Sequence, residues 1–228
     1  MAPGLGKEAM TKAPLNLSHQ AKLFNPKFAR KVVLFGAGSV GSYVAFFLAK
    51  MGVTEIEVWD GDDVASHNIP MSLYRPKDVG RYKVDALREI ILEFTGVTIT
   101  AKQAMYEGKE PLKNVSVISC VDTMKARSLI WSKVRMNPSV DIFLDTRIGE
   151  AYQEVFAISP CSTTDIKRYR ALLFDDKEAV RRFCGSHGVV FVSTKAAQGV
   201  TANIARFWQT GQKKWRDAGR CDILDSAV

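Results

Sequence analysis

From residue 31 onward, short apolar runs alternate with stretches in which apolar residues recur every three or four positions. Continuous or alternating apolar runs of this length predict strands, and the longer period predicts helices with one buried face. On that pattern residues 32–35, 55–59, 97–100, 115–119 and 142–145 read as strands, and residues 43–50, 82–94 and 123–134 as helices. In the helix over 82–94, Val84, Leu87, Ile90 and Ile91 share the face to be buried. Strands alternating with helices predict a parallel sheet covered on both faces. After Asp145 the pattern changes: residues 152–159 form another apolar run, reached by too short a connection for a helical crossover, which predicts an antiparallel extension. Residues 163–183 read as irregular to helical and strongly charged, and 189–208 as a long final helix. The expected fold is α/β: a Rossmann-like, doubly wound, mostly parallel sheet with an antiparallel extension in its second half.

Punctuation sets the expected organisation. Residues 1–24, with Pro3, Gly4, Gly6 and Pro14 among polar neighbours, read as a flexible leader. Residues 25–212 read as one globular domain, and 213–228, carrying Lys213, Lys214, Arg216 and Arg220, as a basic tail. Residues 60–80 hold Gly61, Pro70, Pro76 and Gly80 without helical periodicity, so they form a long loop at the carboxyl end of the second strand.

Composition narrows the classes. An apolar fraction of 46% and a charged fraction of 25% are those of an ordinary globular protein. The formal charge of +8 suits an acidic partner, a nucleic acid or nothing beyond solubility, and the basic residues are too scattered to favour nucleic acid. Cys120, Cys161, Cys184 and Cys221 are widely spaced and form no C-x-x-C pair, so no disulfide framework is expected. No apolar run has the length of a membrane span, and the expected compartment is the cytoplasm.

The chemistry concentrates after the first strand. Lys31-Val-Val-Leu-Phe-Gly-Ala-Gly-Ser-Val-Gly places Gly36, Gly38 and Gly41, with Ser39, between a strand and a helix. Glycines at that spacing let the chain turn tightly and bring its backbone to a phosphate, which then meets the N–H groups at a helix N-terminus. Asp60 follows at the interval of a ribose-binding acid. These residues leave ATP and NAD equally open, so an oxidoreductase is one alternative at this point.

Further landmarks follow in order: the loop Asp60-Gly-Asp-Asp-Val-Ala-Ser-His-Asn68, then Gly80-Arg-Tyr-Lys83, then Val117-Ile-Ser-Cys-Val-Asp122 with Arg127. Together with the glycine loop they resemble the ThiF/HesA/MoeB adenylyltransferase family, which also supplies the adenylation domains of ubiquitin-activating enzymes. The resemblance implies that residues 25–212 form a nucleotide-binding adenylation domain. It implies ATP and Mg²⁺ as cofactors, a homodimer, and a small ubiquitin-like (β-grasp) or sulfur-carrier partner whose C-terminal Gly-Gly carboxylate becomes adenylated. Neither a membrane nor nucleic acid is an expected partner.

By resemblance Asp60 and Asp62 belong to the nucleotide site, Lys83 contacts the phosphates, and Asp122 holds magnesium; read from position alone, Asp122 also suits a helix N-cap. Lys83 opens a helix, where the dipole disfavours a cation, and that points to a nearby anion. Asn68 would donate its amide to phosphate or hold its loop shut, and Arg127 would steady Asp122 or its loop. The chain departs from the family pattern at Met71, where an arginine is usual; Arg75 and Arg81 are the nearby substitutes, and Arg75 joins Lys83, Asp122 and Asn68 as a catalytic candidate. The C-x-x-C pairs of a structural zinc site are missing, so no zinc is expected. Cys184, flanked by Gly185 and near Arg181, Arg182 and His187, is the candidate thiol for receiving an acyl group. The departures leave a second alternative, a member that binds nucleotide or a partner without turnover.

Overall fold

A computed structural model describes residues 15–149, 151–174 and 190–221. Seven strands form one sheet: β1 (Val32–Phe35), β2 (Ile56–Trp59), β3 (Thr100–Lys102), β4 (Val115–Ser119), β5 (Val140–Ile148), β6 (Tyr152–Ile158) and β7 (Arg216–Arg220), in the spatial order β3-β2-β1-β4-β5-β6-β7. The first five run parallel, and β6 and β7 add on antiparallel. β1 is the strand at which the order reverses, with Val32 in register with Ile56 on one side and Ser116 on the other. The loops leaving the carboxyl ends of β1 and β4 therefore diverge to opposite faces and open a crevice.

Among the described residues five α-helices cover the sheet: α1 (Ser39–Lys50), α2 (Lys83–Thr95), α3 (Met124–Val134), α4 (Thr163–Arg170) and α5 (Val190–Thr210). α1, α2 and α5 bury Val44, Leu48, Leu87, Ile91, Val200 and Ile204 against one face. α3 and α4 bury Ile130, Trp131 and Tyr169 against the other, where Phe143 and Phe156 meet them. α2 stops at Gly96, whose left-handed φ of 75° lets its N–H return to the Leu92 carbonyl. Among the described residues no helix is long and apolar enough to cross a membrane.

The α/β class, the parallel order and the antiparallel extension agree with the sequence reading, and several details differ. β3 pairs at residues 100–102 rather than 97–100, because the chain leaving the Gly96 cap must first turn back across the sheet edge. α1 begins at Ser39, so Gly41 lies inside its first turn. Part of the expected leader is packed: Phe24 is buried against Trp208 at a ring separation of 6.2 Å, and Gln20 Nε2 donates to the Met51 carbonyl at 2.8 Å. Part of the expected basic tail is β7, held to β6 by a ladder and by Arg216, whose Nε donates to Glu154 Oε1 at 2.8 Å. Polar β7 carries no apolar alternation to announce it.

Candidate active site

The glycine loop opens where β1 ends. Gly36 donates its N–H to the Trp59 carbonyl at 2.8 Å and turns with φ +90°, a conformation strained for any residue with a Cβ. A Cβ on Gly36 would stand 2.6 Å from the Cys120 carbonyl oxygen, and one on Gly41 only 1.9 Å from the Gly36 carbonyl oxygen. Both glycines are thus required by the protein's own packing. Gly38 is different: a Cβ there would meet nothing within 4 Å. It is also the N-cap of α1 and supplies no side chain to the first-turn N–H groups around Ser39. A bare backbone at a positive helix end, facing open space, is the geometry that accepts a phosphate.

Ala37, between these glycines, is held from two sides. Its N–H donates to Asp60 Oδ2 at 2.7 Å, and its carbonyl accepts the Tyr74 hydroxyl. Asp60 Oδ1 accepts the Asp62 N–H at 2.9 Å, so the buried carboxylate fixes the loop with both of its oxygens. Burial lifts the Asp60 carboxyl above its ordinary range, against the Ala37 N–H and the Lys83 charge that lower it. Burial likewise raises Tyr74 well above the ordinary phenol value, with Asp60 and Asp78 adding to the effect, so it stays a donor. The sequence reading missed Tyr74, although a lone tyrosine in a polar loop is a visible anomaly.

Lys83, at the start of α2, is buried and reaches back to this cluster. Its Nζ lies 2.7 Å from Asp62 Oδ2 and 3.9 Å from Asp60 Oδ1. An anion for the misplaced helix-start cation is thus present within the protein itself. The structure brings together the glycine loop, Asp60, Asp62 and Lys83 as the sequence order led one to expect.

The other candidates divide. Asn68 Oδ1 accepts the Ala65 N–H at 2.9 Å and its carbonyl accepts the Ser72 hydroxyl at 2.6 Å, which closes the turn over Ser66–Met71; its amide NH₂ makes no hydrogen bond among the described residues. Arg75 is committed elsewhere: Nε and Nη2 donate to Asp78, Nη2 also to Glu89, and Nη1 to Glu93 at 2.9 Å. Arg81 shares Asp78 and Glu89 with it. In this structure, then, the arginines nearest to Met71 brace the 60–80 loop against α2, and Arg75 does not stand free for a phosphate.

The β4–α3 turn, residues 120–123, lies against Gly36. Its N-cap is Thr123, whose Oγ1 accepts the Ala126 N–H at 3.2 Å, which corrects the alternative of Asp122 as the cap. Asp122 is exposed and has no hydrogen-bond or ion-pair partner among the described residues. Arg127 is buried and donates through Nη2 to the Val121 carbonyl at 2.6 Å, so it steadies the turn rather than the Asp122 carboxylate. Burial pushes the Cys120 thiol up to about 12, which makes it a poor nucleophile. Cys184 lies outside the described residues.

Among the described residues no three His, Cys, Asp or Glu side chains gather as metal ligands. A lone free carboxylate beside a phosphate cradle fits Mg²⁺, which is held by one or two carboxylates plus phosphate oxygens and water.

A glycine loop at the switch point of a doubly wound sheet, flanked by a lysine and acids, defines a Rossmann-like α/β protein. The chain belongs to the ThiF family, whose model matches residues 12–215. Its relatives include "Adenylyltransferase and sulfurtransferase uba4" of Aspergillus clavatus, 34% identical over 122 residues, covering 51% of this chain and 24% of that protein. Another is "Ubiquitin-like modifier-activating enzyme 5" of Caenorhabditis elegans, 26% identical over 141 residues, covering 53% and 32%. The chain thus spans a quarter to a third of the length of these relatives. Its fold is shared with E. coli MccB solved with AMPCPP and MccA (TM-score 0.69, 17% identity, 87% of this chain and 63% of that one). PaaA is equally near (TM-score 0.68, 18% identity, 87% and 63%).

Proposed function

We propose that this chain uses ATP and Mg²⁺ to adenylate the C-terminal carboxylate of a small ubiquitin-like or sulfur-carrier protein. The observation that carries the reading is Gly38: no atom among the described residues requires a glycine there, while a phosphate seated on the start of α1 does. The relatives' names supply the reaction class. In that reaction a carboxylate oxygen forms a bond to the α-phosphorus, the bond from that phosphorus to the bridging oxygen breaks, and pyrophosphate leaves.

The residues divide the work by charge. The α1 N-terminus and Lys83 offset phosphate charge, with Lys83 exchanging its contact to Asp62 for one to the nucleotide. Asp60 accepts ribose hydroxyls while it keeps Ala37 in place. Asp122 is the carboxylate for magnesium, which when bound neutralises phosphate charge and orients the leaving pyrophosphate. The same reading places the enzyme in the cytoplasm as a homodimer, with a β-grasp partner ending in Gly-Gly.

The test is ATP–pyrophosphate exchange with candidate partners in the presence of Mg²⁺. Exchange that requires the partner and falls at least about 100-fold in Lys83→Ala and Asp122→Ala is expected for groups acting on developing charge. Gly38→Val should abolish ATP binding in calorimetry while leaving the thermal transition in place. Tight ATP binding with no pyrophosphate or AMP release would instead favour a nucleotide-binding docking module, the reading that Met71 and the committed Arg75 support. Protection by NAD but not ATP would overturn both.

A further inference from the structure

Beneath the turn that carries Asp122 lie three buried ionisable side chains, Arg127, Asp145 and Arg147. Asp145 is fully buried in β5, in register with Ser119, the last residue of β4. Its Oδ1 accepts Nη1 of Arg127, and its Oδ2 accepts Nε of Arg147 at 3.2 Å. Arg127 also donates to the carbonyls of Thr146 at 3.1 Å and Val121 at 2.6 Å. Arg147 donates through Nη1 to the Leu172 carbonyl at 2.9 Å, just past α4, and its guanidinium lies over Phe156 at 5.2 Å. One carboxylate therefore holds two guanidinium groups, and through them the turn after β4 and the chain after α4.

This arrangement is not what stability alone would select. Two guanidinium groups share one buried carboxylate, and a buried ion cluster is commonly no more stable than an apolar replacement. The cluster also strands polar atoms: among the described residues Arg127 Nε and Arg147 Nη2 are buried without a hydrogen-bond partner. Phe143 and Phe156, its neighbours on the same face of the sheet, are the apolar filling that packing would have supplied. What the cluster does supply is direction. Arg127 grips the carbonyl of the residue immediately before Asp122, and Asp145 fixes Arg127.

We propose that Asp145 is a positioning residue: with its two oxygens on Arg127 and Arg147 it sets the Val121 carbonyl, and so aims the Asp122 carboxylate over the glycine loop. The assignment rests on the adenylation reading for its consequence, a magnesium-ready Asp122, but the geometry it asserts exists without nucleotide.

Asp145→Asn removes the charge and turns one acceptor into a donor facing a guanidinium, and Arg127→Lys keeps a cation on Asp145 while losing the reach to Val121. In the free protein, both variants should speed backbone amide exchange at residues 121–123 at least tenfold while exchange in β1 and α1 stays as in wild type. In ATP–pyrophosphate exchange both should raise the Mg²⁺ concentration for half-maximal rate at least fivefold, with KM for ATP within twofold. If Asp145→Asn fails to fold, Arg127→Lys carries the comparison. Folded variants with unchanged exchange at 121–123, or an activity loss that leaves the Mg²⁺ dependence untouched, would overturn the assignment. A wild type with no pyrophosphate exchange would overturn the adenylation reading alone, and the amide exchange would still decide the role of Asp145.

Discussion

The central strands β1 and β4 and the β5–β6 hairpin handle charge in opposite ways. In β1 and β4 every strand residue is buried and uncharged, and charge begins only where the strand stops, at Asp122 after β4 and, beside them, at Asp60 after β2. In β5 and β6 the strands themselves carry buried Asp145, Thr146, Arg147, Gln153 and Glu154. The first pair uses an inert scaffold to present backbone at its carboxyl edge. The second uses buried ionic contacts to hold the turn after β4 and the chain after α4. Strand-end chemistry is thus separable from stability, whereas charge within strands is bound to it.

The largest effect expected from this contrast is at the glycine loop. A methyl group on Gly41 would overlap the Gly36 carbonyl, so Gly41→Ala should cost about 3 kcal/mol or more, the upper end of overpacking. Gly38→Ala should stay within about 0.5 kcal/mol, as for a surface change. Urea unfolding of both variants measures the difference, and equal losses would erase the distinction between packing glycines and the nucleotide glycine. A smaller effect concerns the brace on the 60–80 loop. Burial alone would raise the Asp78 carboxyl, but hydrogen bonds and charge from Arg75, joined by Arg81, outweigh it and hold it below the ordinary value. A depressed acid stabilises above its unfolded pKa of about 3.9 and loses that contribution as pH falls through the folded value. Melting temperature should therefore drop more steeply below about pH 4 in wild type than in Asp78→Asn, whose curve should be flatter over the same window. The smallest effect is at the far edge of the antiparallel half. Arg216 is half-exposed where it pairs with Glu154, and Arg216→Ala should cost no more than about 1 kcal/mol by thermal unfolding, as for other exposed pairs. A much larger loss would mean that the β6–β7 ladder depends on this pair.

The same contrast explains what was legible in the sequence. The parallel half announces itself because Val32–Phe35 and Val115–Ser119 are continuous apolar runs and their loops contain glycine and acid at recognisable spacings. Gly36, Gly38, Gly41, Asp60 and Lys83 were therefore readable in advance, and they converge in space. β7, with the sequence Arg-Asp-Ala-Gly-Arg, has no apolar alternation and is a strand only because β6 offers it a ladder. Asp145 was equally hidden, read as the end of a strand because a charge normally marks one, while in fact β5 continues through it to Ile148. Arg75 failed for another reason. Nearness in sequence to Met71 cannot show that Asp78, Glu89 and Glu93 already surround it.

The polar edge strand has a consequence for behaviour in a crowded solution. Among the described residues the sheet ends in β3, only three residues long, and in β7, which places charged arginines at both of its ends. An open edge of apolar, regular strand is a template for pairing with another chain, whereas short or charged edges discourage it. The strand that the sequence conceals is thus also the one that caps the ladder and guards a largely apolar sheet against edge-to-edge aggregation.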